Sequence, residues 1–383
     1  MTKTAITGAR IFDGATWHDR SALVIADGRV EGLIAADSPT DAIRVPAEGA
    51  LLVPGFVDLQ VNGGGGALLN LTPTLDAIRT ICTNYAQFGT TALLPTLITD
   101  TPEQNVAAIA AGAEAVEQGV PGFLGLHIEG PHLAVSRKGA HDPALIRPMD
   151  EADLQRLVEA RRRLPGLLVT VAAETVRPEQ IARLAEAGVV VSIGHSDATY
   201  AQVQAAVEAG ATMVTHLFNA QSQIGNREPG VVGAALDLGA LSAGLIADGI
   251  HVHPASIGIA LRAKRGPGQV FLVTDAMSPT GTDWTEFELT GRKVYRKDGA
   301  LRLADGTLAG ADLTMIDAIT YMHRTVGVPL DEALRMAALY PAQALGVADT
   351  HGHLARGARA DFAVLSDDLE IRSTWIGGEK VFS

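Results

Sequence analysis

Glu129, His195, His216 and Asp275 each close a short apolar run, FLGLHIEG, VVVSIGHS, TMVTHLFN and VFLVTDA, and the runs lie far apart in the chain. Histidines and carboxylates at the ends of separate strands are the ingredients of one assembled metal site. A catalytic zinc or iron site takes about three protein ligands of these types and leaves a position for water. Glu129, His195 and His216 supply that set. Water beside such an ion has its pKa lowered to about 7, so hydroxide is available at neutral pH. Asp275, closing the last run, is then placed to orient and deprotonate the water and later to protonate a leaving amine. A single His or Asp after an apolar strand is commonly a satisfied structural group, so the weight lies in the joint pattern.

Strands must bring these residues together. Eight apolar runs, 51–59, 91–97, 123–129, 167–173, 189–195, 212–217, 243–248 and 270–275, alternate with helical stretches such as PEQIARLAEAG and YAQVQAAVEAG, each closed by glycine. Continuous apolar strands in repeated βα units indicate a buried parallel sheet, and eight of them favour a closed (β/α)8 barrel of the TIM type. In such a barrel the C-terminal strand ends converge on one face. Residues 1–50 and 346–383 have a different texture of short alternating stretches punctuated by Asp-Gly and Gly-Gly, which predicts a small β-sandwich module built from both termini around a 51–345 barrel. Residues 282–305 read as a polar hairpin inserted after the eighth strand.

Composition bounds what this assembly can do. The single cysteine, Cys82, excludes an intrachain disulfide and a Cys-rich metal site, so any metal must use His and carboxylate. A net charge of -13 argues against general affinity for nucleic acid or anionic membrane. No run approaches the roughly 18–20 apolar residues of a membrane span, and the N-terminus lacks a signal-peptide core. The expectation is a cytoplasmic protein.

Six ordered segments then carry a resemblance: PGFVDLQVNG (54–63), GLHIEGPH (125–132), GHSDAT (194–199), THLFNA (215–220), DGIHVHP (248–254) and VTDAM (273–277). In this order they resemble the N-acetylglucosamine-6-phosphate deacetylases of the amidohydrolase superfamily, and the likeness extends through GTLAGADLTM (306–315) and the terminal module. The resemblance implies hydrolysis of the acetamide of N-acetyl-D-glucosamine 6-phosphate to glucosamine 6-phosphate and acetate, in amino-sugar catabolism and cell-wall sugar recycling. It makes Glu129, His195 and His216 ligands to one divalent metal ion per subunit, zinc first, with iron, cobalt or manganese as alternatives, and Asp275 the catalytic acid/base. It implies substrate contacts from His141, Asn219, Ala220, His251 and Leu308. Arg227, in GNREPG, matches a phosphate-binding arginine that comes from the neighbouring subunit, which implies a homodimer with a composite site.

Two departures refine this. Many amidohydrolases carry His-x-His after the first strand and bind a second metal; here Gln60 and Asn62 stand there, and neither amide is a strong ligand, so one ion is expected. His132 stands where relatives commonly place an aromatic residue and reads as a packing substitution. His127 should point into the barrel alongside Glu129, His253 should be structural, and His18, His323, His351 and His353 should be surface groups. The run Gly63–Gly66 opens no helix in a GxGxxG pattern and is expected to give room beside the substrate. Three readings compete with the main one: the galactosamine 6-phosphate analogue as substrate, a dihydroorotase-like or N-acyl amino acid hydrolase on the same barrel, and a non-catalytic sugar-phosphate binder. The missing His-x-His and the absence of a lysine near 167–174, where Glu174 stands, count against the second of these. Retention of all four strand-end residues counts against the third.

Overall fold

In the computed structural model, which describes residues 3–383, eight parallel strands lie side by side in chain order. They are Phe56–Val61, Thr90–Ile98, Leu126–Glu129, Leu167–Val171, Val190–Ile193, Met213–Val214, Ser242–Leu245 and Val270–Leu272. The first and eighth meet through main-chain bonds just past the regular ladder. Asp275 N–H donates to the Gln60 carbonyl and Asn62 N–H to the Ala276 carbonyl, both at 2.9 Å. The sheet therefore closes into the expected barrel. Every residue of strands 56–61, 90–98 and 167–171 is buried, as packing on both faces requires, which is why these strands read as unbroken apolar runs.

Helices cover the outside, and their starts follow local chemistry. Thr74, Thr101 and Thr199 each cap a helix by accepting a backbone N–H, and Asp150 and Asp153 form a reciprocal capping box at Glu151–Arg161. The two glycine-closed stretches fold as Pro178–Glu186 and Tyr200–Glu208. Among the described residues, no helix is long and apolar enough to cross a membrane.

The two ends of the chain form two sheets. One contains Thr4–Thr7, Ser21–Ala26, Arg29–Ala35 and Ile43–Pro46; the other contains Arg10–Phe12, Trp17–His18, Leu51–Pro54, Phe362–Leu365, Ile371–Ile376 and Glu379–Phe382. Ile6, Leu23 and Ile25 from the first pack with Leu52, Phe362 and Trp375 from the second, so the module is a sandwich.

Three details differ from the sequence reading. The run 51–59 is two strands, because Leu51–Pro54 pairs with Phe362–Leu365 in the terminal sheet and only Phe56 onward joins the barrel. Gly55 makes the crossing: a Cβ there would lie 2.1 Å from the Thr91 side chain, and its N–H is taken by the Asp361 carbonyl. The predicted hairpin at 282–305 is a four-stranded antiparallel sheet, Glu286–Leu289, Arg292–Lys297, Ala300–Leu303 and Leu308–Ala311. Phe287, Leu289, Val294, Leu301 and Leu303 turn inward onto Leu68, Ile98 and Met277, so its polar look is that of one solvated face. Lastly, several barrel strands are shorter than their apolar runs, so His195 and His216 lie two residues, and Asp275 three, beyond them.

Candidate active site

The residues that follow the strands leave ordinary backbone geometry. Ten non-glycine residues have positive φ among the described residues, and five of them are His195 (46°), His216 (30°), Phe218 (79°), Ala220 (50°) and Asp275 (52°). Such conformations cost of order 1–3 kcal/mol each and persist where surrounding structure over-determines them, typically at functional sites. Here His195, His216, Ala220 and Asp275 border the cavity at the mouth of the barrel, while Phe218 packs against the core.

Glu129, the last residue of its strand, meets the two turned histidines there. Glu129 Oε1 lies 3.1 Å from His195 Nε2 and 3.1 Å from His216 Nε2, and the two Nε2 atoms are 3.1 Å apart. All three side chains are buried. Four-coordinate zinc with bonds of about 2.0–2.1 Å separates its ligand atoms by roughly 3.3 Å, so the triangle fits a small divalent cation. The donor chemistry agrees. His195 Nδ1 lies 2.8 Å from the Arg137 carbonyl, which can only accept, so the proton sits on Nδ1 and the Nε2 lone pair faces the triangle. Glu129 is held well below the ordinary carboxylate range: burial opposes its charge, and its neighbours His195 and His216 more than offset that.

Glu129, His141 and His195 also offer ligand atoms within 4.8 Å of one another. Its tautomer sets His141 apart from the ligand set. Its Nδ1 accepts from the Thr99 N–H at 3.3 Å and lies 2.7 Å from Thr99 Oγ1, so its proton is on Nε2. Burial first, and the neighbouring His195 next, keep this ring neutral by holding its pKa well below the usual imidazole value. His141 is thus a hydrogen-bond donor to whatever fills the pocket.

Asp275 stands beside the triangle. Its Oδ1 accepts from Asn62 Nδ2 at 2.7 Å and from Gln60 Nε2 at 3.1 Å, and the same Gln60 nitrogen reaches Glu129 Oε2 at 3.1 Å. The two amides therefore act as donors that space two carboxylates. Burial, and then the charge on Glu129, push the Asp275 carboxyl upward. On the far side Gly310 presses against Asp275: its φ is +72°, and a Cβ there would lie 2.9 Å from the Asp275 carbonyl oxygen. His251 is braced by Asp248, whose Oδ2 takes its Nδ1–H at 2.6 Å while Oδ1 caps the backbone of Ile250 and His251. Burial would raise Asp248, but the bond from His251 holds it below its ordinary value.

A cavity of about 330 Å³ opens beside these groups. His141, Asn219, Ala220, His251, Asp275 and Leu308 all border it, along with the Glu129–His195–His216 cluster. Arg227 does not: it is exposed on the loop before Gly230–Asp237 and lies outside the cavity wall of its own chain. His127 points inward as expected, 2.8 Å from Thr170 Oγ1, and burial lowers its pKa to about 4. His132 packs away from the cavity, against the Arg147 carbonyl at 3.1 Å and Asp153 at 3.7 Å. His253 caps the helix Pro254–Ala263. His18, His323, His351 and His353 are half-buried and hydrogen-bonded, where surface positions were expected. The glycine run does not line the cavity either. A Cβ on Gly63 would strike the Ala67 carbonyl at 2.3 Å and one on Gly64 the Tyr85 ring at 2.5 Å, so the run serves tight packing. Sequence reasoning missed Asp248, Thr99 and the Arg137 carbonyl, all partners of histidines it did find.

A closed (β/α)8 barrel with a buried His/His/Glu cluster and a free carboxylate at the carboxyl ends of its strands defines a class, the barrel hydrolases that work with a bound metal. The chain belongs to the amidohydrolase family, whose model matches residues 51–381. It is 42% identical over 378 residues to an N-acetylgalactosamine-6-phosphate deacetylase of Shewanella sp. (strain ANA-3), covering 98% of this chain and 95% of that one. It is 35% identical to the N-acetylglucosamine-6-phosphate deacetylase of Haemophilus influenzae, covering 94% of each. Among solved structures, the N-acetylglucosamine-6-phosphate deacetylase from Pasteurella multocida superposes with a TM-score of 0.96 at 34% identity over the whole of both chains. A mutant of the Mycobacterium smegmatis enzyme in complex with N-acetyl-D-glucosamine-6-phosphate superposes with a TM-score of 0.92 at 34% identity, again over both whole chains.

Proposed function

We propose that this chain is a metal-dependent deacetylase that hydrolyses N-acetyl-D-glucosamine 6-phosphate to D-glucosamine 6-phosphate and acetate. The observation that carries the reading is the Asp275 carboxylate, pinned on one oxygen by Gln60 and Asn62 beside a triangle of ligand atoms sized for a divalent ion. Glu129, His195 and His216 would hold one ion per chain, zinc first, with iron(II), cobalt or manganese compatible with the same donors. Bound there, such an ion would supply Lewis acidity, which acidifies water and polarises a carbonyl. Asp275 takes the proton of the attacking water and returns it to the departing amine nitrogen, a role suited to a carboxyl whose pKa is raised toward the working pH. His251, held by Asp248, presents Nε2 to the amide and sugar, and His141 donates from Nε2 to a sugar oxygen. Asn219 and Ala220 receive the phosphate, Leu308 walls the ring, and Arg227 completes the phosphate site from the partner in a homodimer. A planar guanidinium suits that task by bidentate bonding.

The galactosamine 6-phosphate analogue is the second reading, favoured by the name of the 42%-identical relative. Kinetics on both sugars decide: the reading expects acetate from the gluco substrate with the higher kcat/KM, and a reversed ratio replaces it with the galacto substrate. The phosphate assignment fails if free N-acetylglucosamine is turned over with equal kcat/KM.

A further inference from the structure

We propose that Asp58 is a positioning residue for this reaction: its carboxylate fastens the seam between the first and eighth barrel strands and so sets Asp275 against Gln60 and Asn62. Asp58, Gln60 and Asn62 alternate along PGFVDLQVNG, so their side chains share one face of the strand. Gln60 and Asn62 reach Asp275. Asp58, one step lower in the barrel, reaches Thr274, the residue before it.

The contacts are specific to the seam. Thr274 Oγ1 donates to Asp58 Oδ2 at 2.6 Å and Thr274 N–H to Oδ1 at 3.3 Å, while Gln60 N–H also donates to Oδ1 at 3.2 Å. The side chain is completely buried, does not border the active-site cavity and, among the described residues, has no cationic partner. A buried carboxylate without a counterion is costly unless hydrogen bonds satisfy it, and an apolar residue would fill the space. All three donors belong to Gln60 or to the residue next to Asp275. At Thr274 the carboxylate stands in for a strand neighbour, since the amide of Thr274 donates to Asp58 where a regular ladder would use a carbonyl. One residue on, the chain turns into the positive-φ conformation of Asp275. A proton carrier displaced by about 1 Å can lose about 100-fold in rate, so a fastening at this point has a catalytic consequence without touching substrate.

This inference rests on Asp275 being the proton carrier, and the test separates the two. Thr274→Val removes the hydroxyl donor at constant shape, Thr274→Ser restores it, and Asp58→Asn places an amide where Oδ2 accepts. Expected for Thr274→Val and Asp58→Asn is a fall in kcat of about 10- to 100-fold with KM within about twofold, unchanged metal content, and a shift in the acid limb of the pH–rate profile; Thr274→Ser stays near wild type. If Asp58→Asn fails to fold, Thr274→Val decides alone. Wild-type kcat and pH profile in Thr274→Val, while Asp275→Asn is inactive, overturn the inference and leave the proton-carrier reading intact. Full turnover by Asp275→Asn overturns both. Loss of metal from Thr274→Val overturns the inference as well, since the seam would then serve the ion cluster.

Discussion

Asp275 and Glu129 are two carboxylates under one roof with opposite environments. The neighbouring His195 and His216 hold Glu129 ionised, while burial and the charge on Glu129 push Asp275 up, and environments that push two acids apart assign their roles. Asp275→Asn is therefore expected to lower kcat by about 10²- to 10⁴-fold with metal still bound, measured by steady-state kinetics and elemental analysis of the same preparation. Near wild-type turnover would remove Asp275 from proton transfer. Because Asp275 must be ionised to accept a proton, activity should fall as pH drops through its raised pKa. The acid limb should thus lie above the ordinary value of about 3.9 for aspartate; a limb at or below that value contradicts the burial argument. At the ion cluster, Glu129→Gln should bring metal occupancy down severalfold in dialysed protein, since a neutral amide replaces the anionic ligand.

Turns and seams decide where those residues stand. The seam makes a pH prediction of its own: burial raises the Asp58 carboxyl to about 7, whereas the unfolded chain ionises near 3.9. The folded state thus binds the proton more tightly, and Asp58's contribution to stability declines as pH rises between those two values. Denaturant unfolding of wild type and Asp58→Asn should show a stability difference that shifts against wild type by about 2–3 kcal/mol from pH 5 to pH 8. A pH-independent difference would mean that Asp58 titrates alike in both states. The eight strands, the glycine-closed helices and Glu129 were legible in the sequence, because apolar runs and capping residues act locally. Less legible was what depends on distant neighbours. Gly55 reassigns Leu51–Pro54 to the terminal sheet because Thr91, remote in the chain, occupies its space. Asp248 could be known as the brace of His251 only once the loop between them had turned. The positive φ of His195, His216 and Asp275 follows from where the strands stop, and apolar runs overestimate strand length.

For the molecule as a whole, the barrel supplies one concave face, the sheet 286–311 walls it, and Arg292 ties that wall to the loop bearing His141 by donating to the Ala140 carbonyl. Arg227 is the one proposed substrate contact outside the cavity of its own chain, so the composite-site reading makes an assembly prediction. Arg227→Ala should raise KM for the phosphorylated sugar by about tenfold or more while leaving that for the unphosphorylated sugar unchanged, since a charge-assisted bond to phosphate is worth about 1.5–3 kcal/mol. Light scattering should report a dimer in both proteins, and a monomer with full phosphate selectivity would contradict the arrangement. The central claim is that this cavity uses a bound divalent ion to cleave the acetamide of a 6-phosphorylated amino sugar. Acetate release from N-acetyl-D-glucosamine 6-phosphate, followed before and after chelation and again after zinc is restored, tests it directly. One acetate per free amine formed is expected, lost on chelation and recovered with about one zinc per chain. Protein that carries its metal yet releases no acetate from this sugar or its galacto analogue would contradict it.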